Sequence, residues 1–371
     1  MANPGYSQDD PRVKEAADLV AQYGDVSSAA RAAGIPDATL RRRYNQSRQD
    51  PGVSAAMRAV NTNLVPKSAW LKTKPDGEGN SYSVQLVPKQ DAITLDDIRA
   101  AFDGVKPSKP VTAPRQVLDD LCAVYPLFDA HVGLLSWGRE TGDQDYDLDH
   151  AANDMRMALA KVLAITPRAK QGVLIIGGDY LHADDDTAQT PQSKHNLDVD
   201  GRQFKVLEVG VSILIDVVER LLSHHQEVLI RVMRGNHDPH AHMVITFALA
   251  ERYRAEPRVT VEKDPRDLFM FQWGRSAILA HHGDKRKPQD MVMLAANACP
   301  FWSDTKHRHF LTGHIHHDSA KDFPGIRWES VRAFCPPDAY GALFGGKRTL
   351  QAMTFHLSDG LVLRAMDPIE R

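Results

Sequence analysis

Five short stretches of the chain bring aspartate, asparagine and histidine together at spacings that suit metal-assisted chemistry: Asp129-Ala-His131, Asp179-Tyr-Leu-His182, Asn236-His237-Asp238, His281-His282-Gly-Asp284 and Gly313-His314-Ile-His316. Taken singly, each is ordinary, since Asp-x-His is a common turn and His-x-His is more often solvated than ligating. As a set they offer carboxylate, amide and imidazole donors with no thiolate among them, a mixture that suits hard or borderline divalent ions. It also suits hydrolysis of phosphate esters, in which one anion must attack another. A pair of cations eases that attack by generating hydroxide and neutralising charge on the phosphate oxygens.

Each stretch follows an apolar, strand-like run: "AVYPLF", "GVLIIGG", "EVLIRVM", "SAILA" and "HFLTG". Amphipathic helical segments lie between them, "LDHAANDMRMALAKVLAIT" and "FKVLEVGVSILIDVVERLLSHH" among them. Alternation of this kind predicts an α/β domain with a largely buried sheet. Residues just past the carboxyl ends of strands in an open α/β sheet converge on one crevice. The five stretches are therefore expected to meet.

The bulk numbers set the frame. The chain has 371 residues, 42% apolar and 25% charged, with a net charge of −3, so any nucleic-acid affinity must come from a local basic face. Its start, "MANPGYSQDD", lacks the features of a signal peptide, and no apolar run approaches a membrane span. Cys122, Cys299 and Cys335 are far apart and never paired as Cys-x-x-Cys, so neither a disulfide framework nor a structural zinc site is expected. A reducing cytoplasm fits this usage best.

Three regions separate by texture. Residues 1–46 read as helix, short helix, glycine-containing turn and basic third helix, the pattern of a helix-turn-helix. Ser27 and Asp37 are the expected helix caps, with Gly34 as the stop. Arg41, Arg42 and Arg43 on the third helix are candidate DNA contacts, and the module makes a homodimer conceivable. Residues 47–115 read as two short strands around "PDGEGN", a short helix in "TLDDIRAAFDG" and a Pro/Lys-rich linker. Residues 116–371 form the α/β region.

Asp129-x-His131, Gly178-Asp179-x-x-His182, Gly235-Asn236-His237-Asp238, the histidine before Gly283, and Gly313-His314-x-His316 resemble the motif series of the calcineurin-like metallophosphoesterases. The resemblance covers 116–371. It implies two stacked sheets flanked by helices, with a dinuclear metal site on one edge. By the resemblance, Asp129, His131 and His316 hold the first ion, Asp179 bridges, and Asn236, His314 and either His281 or His282 hold the second. Mn²⁺ is the favoured ion, with Fe, Zn or Ni as alternatives. His237 is expected to be the general acid or a stabiliser of phosphate charge, and His182 to support His237 or the scissile phosphate. His182, where the protein-phosphatase relatives carry aspartate, is similar to the double-strand-break-repair nucleases. "SWGRETGDQDYDLD", "TPQSKHNLDVDGR" and "HHGDKRK" look like a group of uncharacterised phage and prophage phosphoesterases.

Other polar residues lie near these motifs. Arg202, Lys285 and Arg286 are candidate phosphate contacts, on a long loop and on a basic run beside the fourth motif. Asp238 reads either as holder of an imidazole tautomer or as a turn residue before Pro239. Asp184, Asp185 and Asp186 read as a solvated loop. The expected function is metal-dependent hydrolysis of phosphodiesters in DNA or at DNA ends. The alternatives are a phosphomonoesterase or cyclic-nucleotide phosphodiesterase, and a DNA-binding regulator with an inactive fold.

Overall fold

The computed structural model describes residues 11–47, 64–73, 80–88, 110–142, 144–337 and 347–369. The chain divides into two compact units, Met1–Ile98 and Arg99–Arg371. The predicted helix at 94–104 lies outside the described residues.

In the first unit, α1 (Pro11–Tyr23), α2 (Val26–Ala33) and α3 (Asp37–Ser47) pack around Ala16, Val20, Ala29, Ala30 and Leu40. Gly34 ends α2 with a left-handed φ of 66°, as its position predicted. The cap of α2 is Asp25 rather than Ser27, because Asp25 accepts from the Ser28 amide at 2.9 Å. Asp37 is the first residue of α3, and its carboxylate takes the Ser27 hydroxyl and the Arg41 guanidinium. Strands β1 (Leu64–Thr73) and β2 (Asn80–Pro88) pair antiparallel, flanking the predicted turn.

The second unit holds two sheets. One has the order β13-β12-β3-β4-β5-β6, from β3 (Leu118–Leu127), β4 (Ala169–Ile176), β5 (Glu227–Val232), β6 (Val259–Glu262), β12 (Thr349–His356) and β13 (Gly360–Pro368). Its β3, β4, β5 and β6 run parallel. The other has the order β10-β11-β9-β8-β7, from β7 (Phe269–Trp273), β8 (Ser276–Ala280), β9 (His307–Thr312), β10 (Ser319–Phe323) and β11 (Ile326–Ser330). Here β8 and β9 are parallel neighbours.

Period-two alternation explains how the layers stack. Cys122, Val124, Val173 and Ile175 face the other sheet and meet Ile278, Ala280 and Leu311. Leu121, Ala123, Leu174 and Ile176 point the opposite way. There they meet α5 (Leu148–Ile165) and α6 (Gln203–His224), which follow the short helix α4 (Gly138–Thr141). A further helix, α7 (Ala241–Arg252), adds Ile245 and Leu249 to this layer. On the far side, α8 (Pro288–Ala298) sets Met291, Val292 and Ala295 against Ala277, Leu279 and Phe310. The result is the predicted α/β class, two mixed sheets with helices on both outer faces. No helix among the described residues is long and apolar enough to cross a membrane.

Candidate metal centre

All five motifs sit in loops at the carboxyl ends of parallel strands: those after β3, β4 and β5 in one sheet, and those after β8 and β9 in the other. Stacking puts the loops on a common edge. Four groups of potential ligands form there, each with its donor atoms within 4.8 Å of one another: Asp129, His131 and Asp179; Asp179, His282 and His314; His131, His182 and His237; and His131, His316 and Cys335.

The two acids are held alike. Asp179 is 1% exposed, and its Oδ1 accepts the His237 amide at 2.7 Å. Its Oδ2 faces His282 Nε2 at 3.1 Å and His131 Nε2 at 4.0 Å. Asp129 is fully buried, and its Oδ2 accepts the His314 amide at 2.8 Å. Its Oδ1 has no hydrogen-bond partner and lies 3.7 Å from His316 Nε2. In each case one oxygen is fixed by the backbone of another motif and the second is presented to imidazoles. A buried carboxylate oxygen without a donor is costly unless a cation meets it. The donor set therefore fits a pair of divalent ions, with Asp179 common to both groups.

The backbone is bent to make this possible. Of the seven non-glycine residues with positive φ among those described, five are Asp129, His131, Asp179, His314 and His316. A left-handed L-residue costs about 1–2 kcal/mol, so such clustering marks positions that the surrounding fold forces. Glycines supply the room. A Cβ at Gly235 would fall on the Asp179 carboxylate, and one at Gly313 on that of Asp129.

Electrostatics follow from burial and crowding. Burial favours the neutral form of Asp179, but His282, His237 and His131 outweigh it and hold the carboxyl far below its usual range. Burial lowers His282, yet Asp179 and Asp129 raise it to about 10. Burial keeps His131 well below its ordinary value and takes His182 down to about 3, which favours the neutral imidazole in both. Burial raises the carboxyl of Asp129.

Of the two histidines in the fourth motif, His282 is the one that joins a ligand group. Its Nε2 lies 3.1 Å from both Asp179 Oδ2 and Asn236 Oδ1, and its Nδ1 is 3.1 Å from the Gly177 carbonyl. His281 joins none of the four groups; its Nδ1 accepts the Gly283 amide at 2.9 Å and the ring faces Asp284 and Asp267. Consecutive side chains leaving a strand project to opposite sides, which places His281 away from the group that His282 joins.

His237 donates from Nδ1 to the His182 carbonyl at 2.8 Å, and its ring meets that of His131 edge-on at 4.6 Å. His182 is 2% exposed and sits 3.1 Å from His131 through their Nδ1 atoms, so it touches the cluster from behind. Asp238 does not hold an imidazole. Its carboxylate accepts four backbone amides, from Asp179, Tyr180, Leu181 and Gly235, and so clamps the second motif to the third. Burial and the neighbouring Asp179 raise its carboxyl to about 7.

The basic candidates are less concentrated than the sequence suggests. Lys285 is paired with Asp267, and Arg234 with Asp284 at 3.0 Å and Asp267 at 3.6 Å. Arg286 is exposed. Arg202 lines a cavity of about 340 Å³ with Asp185 and Asp186, to which no ligand candidate contributes. The three consecutive acids are loop fasteners: Asp184 takes the His240 and Ala241 amides, Asp185 takes Thr187, and Asp186 takes the Gln203 amide. Cys335 was not anticipated. It follows β11, and its amide donates to the Asp129 carbonyl at 3.3 Å.

No family model and no curated protein matches the chain. Among solved structures it is similar to Vps29 from Entamoeba histolytica complexed with Zn²⁺, at 11% identity and a TM-score of 0.29, over 67% of this chain and 99% of that one. It is also similar to an archaeal phosphodiesterase, at 9% identity and a TM-score of 0.33, over 62% and 92% of the two chains. The E. coli phosphoesterase YfcE aligns at 13% identity and a TM-score of 0.30, over 67% and 100%. Likenesses this distant say nothing about substrate. The two-sheet, helix-flanked architecture that the motif series implied is the one observed.

Proposed function

We propose that the chain is a metal-dependent phosphoesterase of the calcineurin-like kind, acting on phosphodiesters, with DNA or DNA ends as the substrate class. One observation carries the catalytic part: Asp179 belongs to two ligand groups at once, with Asp129 and His131 on one side and His282 and His314 on the other. Asp129, His131, His316 and Asp179 would hold one cation; Asp179, Asn236, His282 and His314 the other. Bound there, two divalent ions would supply an acidic water and neutralise phosphate charge. The carboxylate, amide and imidazole donors of the second position favour Mn²⁺.

The chain's own groups account for the rest. The His182 carbonyl accepts the Nδ1–H of His237 and so orients the ring; in its doubly protonated form the ring would carry a second proton on Nε2, to be delivered to the departing alkoxide or donated to a phosphate oxygen. His182, neutral and buried, is a positioning residue. Asp238 keeps the bridging acid and His237 in register.

The preference for DNA is supported by the three-helix unit, where Arg41 and Arg42 are exposed on α3 while Leu40 turns inward. Arg41 is tied to Asp37 at 3.1 Å at the start of the same helix.

The test is a panel of bis- and mono-nitrophenyl phosphates with single- and double-stranded DNA, under Mn²⁺ and after chelation. Metal-dependent cleavage of DNA and of the diester is expected, and His237→Ala should lower kcat by ~10²–10⁴-fold with ion content unchanged. Hydrolysis of monoesters alone would reassign the substrate, and ion binding without any hydrolysis would leave a DNA-binding regulator.

A further inference from the structure

The fourth ligand group contains a thiol. Cys335 Sγ lies within 4.8 Å of imidazole nitrogens of both His131 and His316, whose Nε2 atoms are 3.3 Å apart. Cys335 is 4% exposed and His131 3%. Independently of the thiol, Asp129 Oδ1 is fully buried, has no hydrogen-bond partner and lies 3.7 Å from the same His316 Nε2. The backbone holds Cys335 there: the amides of Phe334 and Cys335 donate to the Asp129 carbonyl at 3.2 and 3.3 Å, so one peptide group positions both the acid and the cysteine.

A buried cysteine often serves only as a small apolar side chain. Two others in this chain fit that description, Cys122 between the sheets and Cys299 at the C-terminal end of α8. Cys335 also packs against Leu134, Tyr146 and Ala333, but it differs in lying within ligand range of two imidazoles.

We propose that Cys335 supplies a thiolate to the ion held by Asp129, His131 and His316, which gives the first position a preference for Zn²⁺, Fe²⁺ or Co²⁺ over Mn²⁺. This rests on the dinuclear reading above. Thiolate is the softest donor a protein offers, and it moves a carboxylate–imidazole site toward borderline ions. The two positions then differ in kind, the first carrying sulfur and the second an amide oxygen.

The experiment loads the full chain with Co²⁺, measures bound metal after dialysis and records the near-ultraviolet spectrum. The intact protein is expected to bind Co²⁺ with a thiolate-to-cobalt charge-transfer band. Cys335→Ser should bind it without the band, and its preference for Zn²⁺ over Mn²⁺ at the first position should fall roughly 10–100-fold. Should the variant not fold, alkylation of the intact protein, followed at the Cys335 peptide, is expected to slow at least about tenfold on adding Co²⁺. Bound Co²⁺ with no such band, or alkylation indifferent to Co²⁺, overturns the thiolate ligand and leaves the dinuclear reading standing. No bound Co²⁺ at all overturns both.

Discussion

Two regions of the second unit bury acids, and they treat them differently. On β11, Glu329 is 3% exposed and held by two arginines: Arg327 donates to one oxygen at 2.6 Å and Arg364 binds the other, while the His309 ring lies 3.8 Å away. Burial alone would raise its carboxyl, but these partners bring it down to about 2. At the motif edge, Asp129 and Asp179 are buried as deeply, yet among the described residues no lysine or arginine pairs with them; their neighbours are imidazoles, and one Asp129 oxygen has no donor there. The first region is complete as folded. The second gathers donors that could hold a cation, and the contrast separates an acid neutralised by arginines within the fold from acids that face imidazoles.

The largest break in that contrast should come from Asp179→Asn. Loss of the shared carboxylate is expected to cost both ions, with affinity down by ~100-fold or more and activity falling in parallel, as read by metal analysis after dialysis. Asp238 is the next test, because it stands beside the ligands but is saturated by four amides. Asp238→Ala should destabilise the metal-free protein by roughly 3 kcal/mol or more in denaturant titration, since four buried N–H groups lose their acceptor. A loss of metal with stability unchanged would place it among the ligands instead.

Glu329 sharpens the comparison through pH. Its folded value lies below the ordinary 4.5, so its contribution to stability is full above that value and fades as pH falls through about 2. Denaturation midpoints from pH 6 to pH 2 should fall less steeply for Glu329→Gln than for the unaltered chain, with metal content unaffected at neutral pH. The smallest effect is expected at Lys285, whose charge is already met by Asp267. Lys285→Ala should change KM for a DNA substrate by less than about threefold, in line with exposed ion pairs.

The sequence carried the strands and motifs because both signals are local. An apolar run of strand length ends in a polar loop, and β3, β4, β5, β8 and β9 were each readable from that pattern. The edge strands were harder; β10, "SAKDF", carries no apolar alternation and exists because β11 pairs with it. His281 and His282 could not be told apart because their difference lies in which side each leaves the strand, and that depends on where β8 ends. Asp238 was ambiguous because four amides from two loops come together only in the fold. Cys335 was invisible for the same reason, since nothing near it in the chain hints at imidazoles that arrive from the loops after β3 and β9.

The bare backbone at Gly235 and Gly313 has a consequence for how such a chain can vary. With each acid pressed against a residue that has no side chain, any substitution there displaces a carboxylate rather than reshaping the crevice around it. Diversity among chains built this way must then enter through the outer loops, while the inner wall is either kept whole or lost outright.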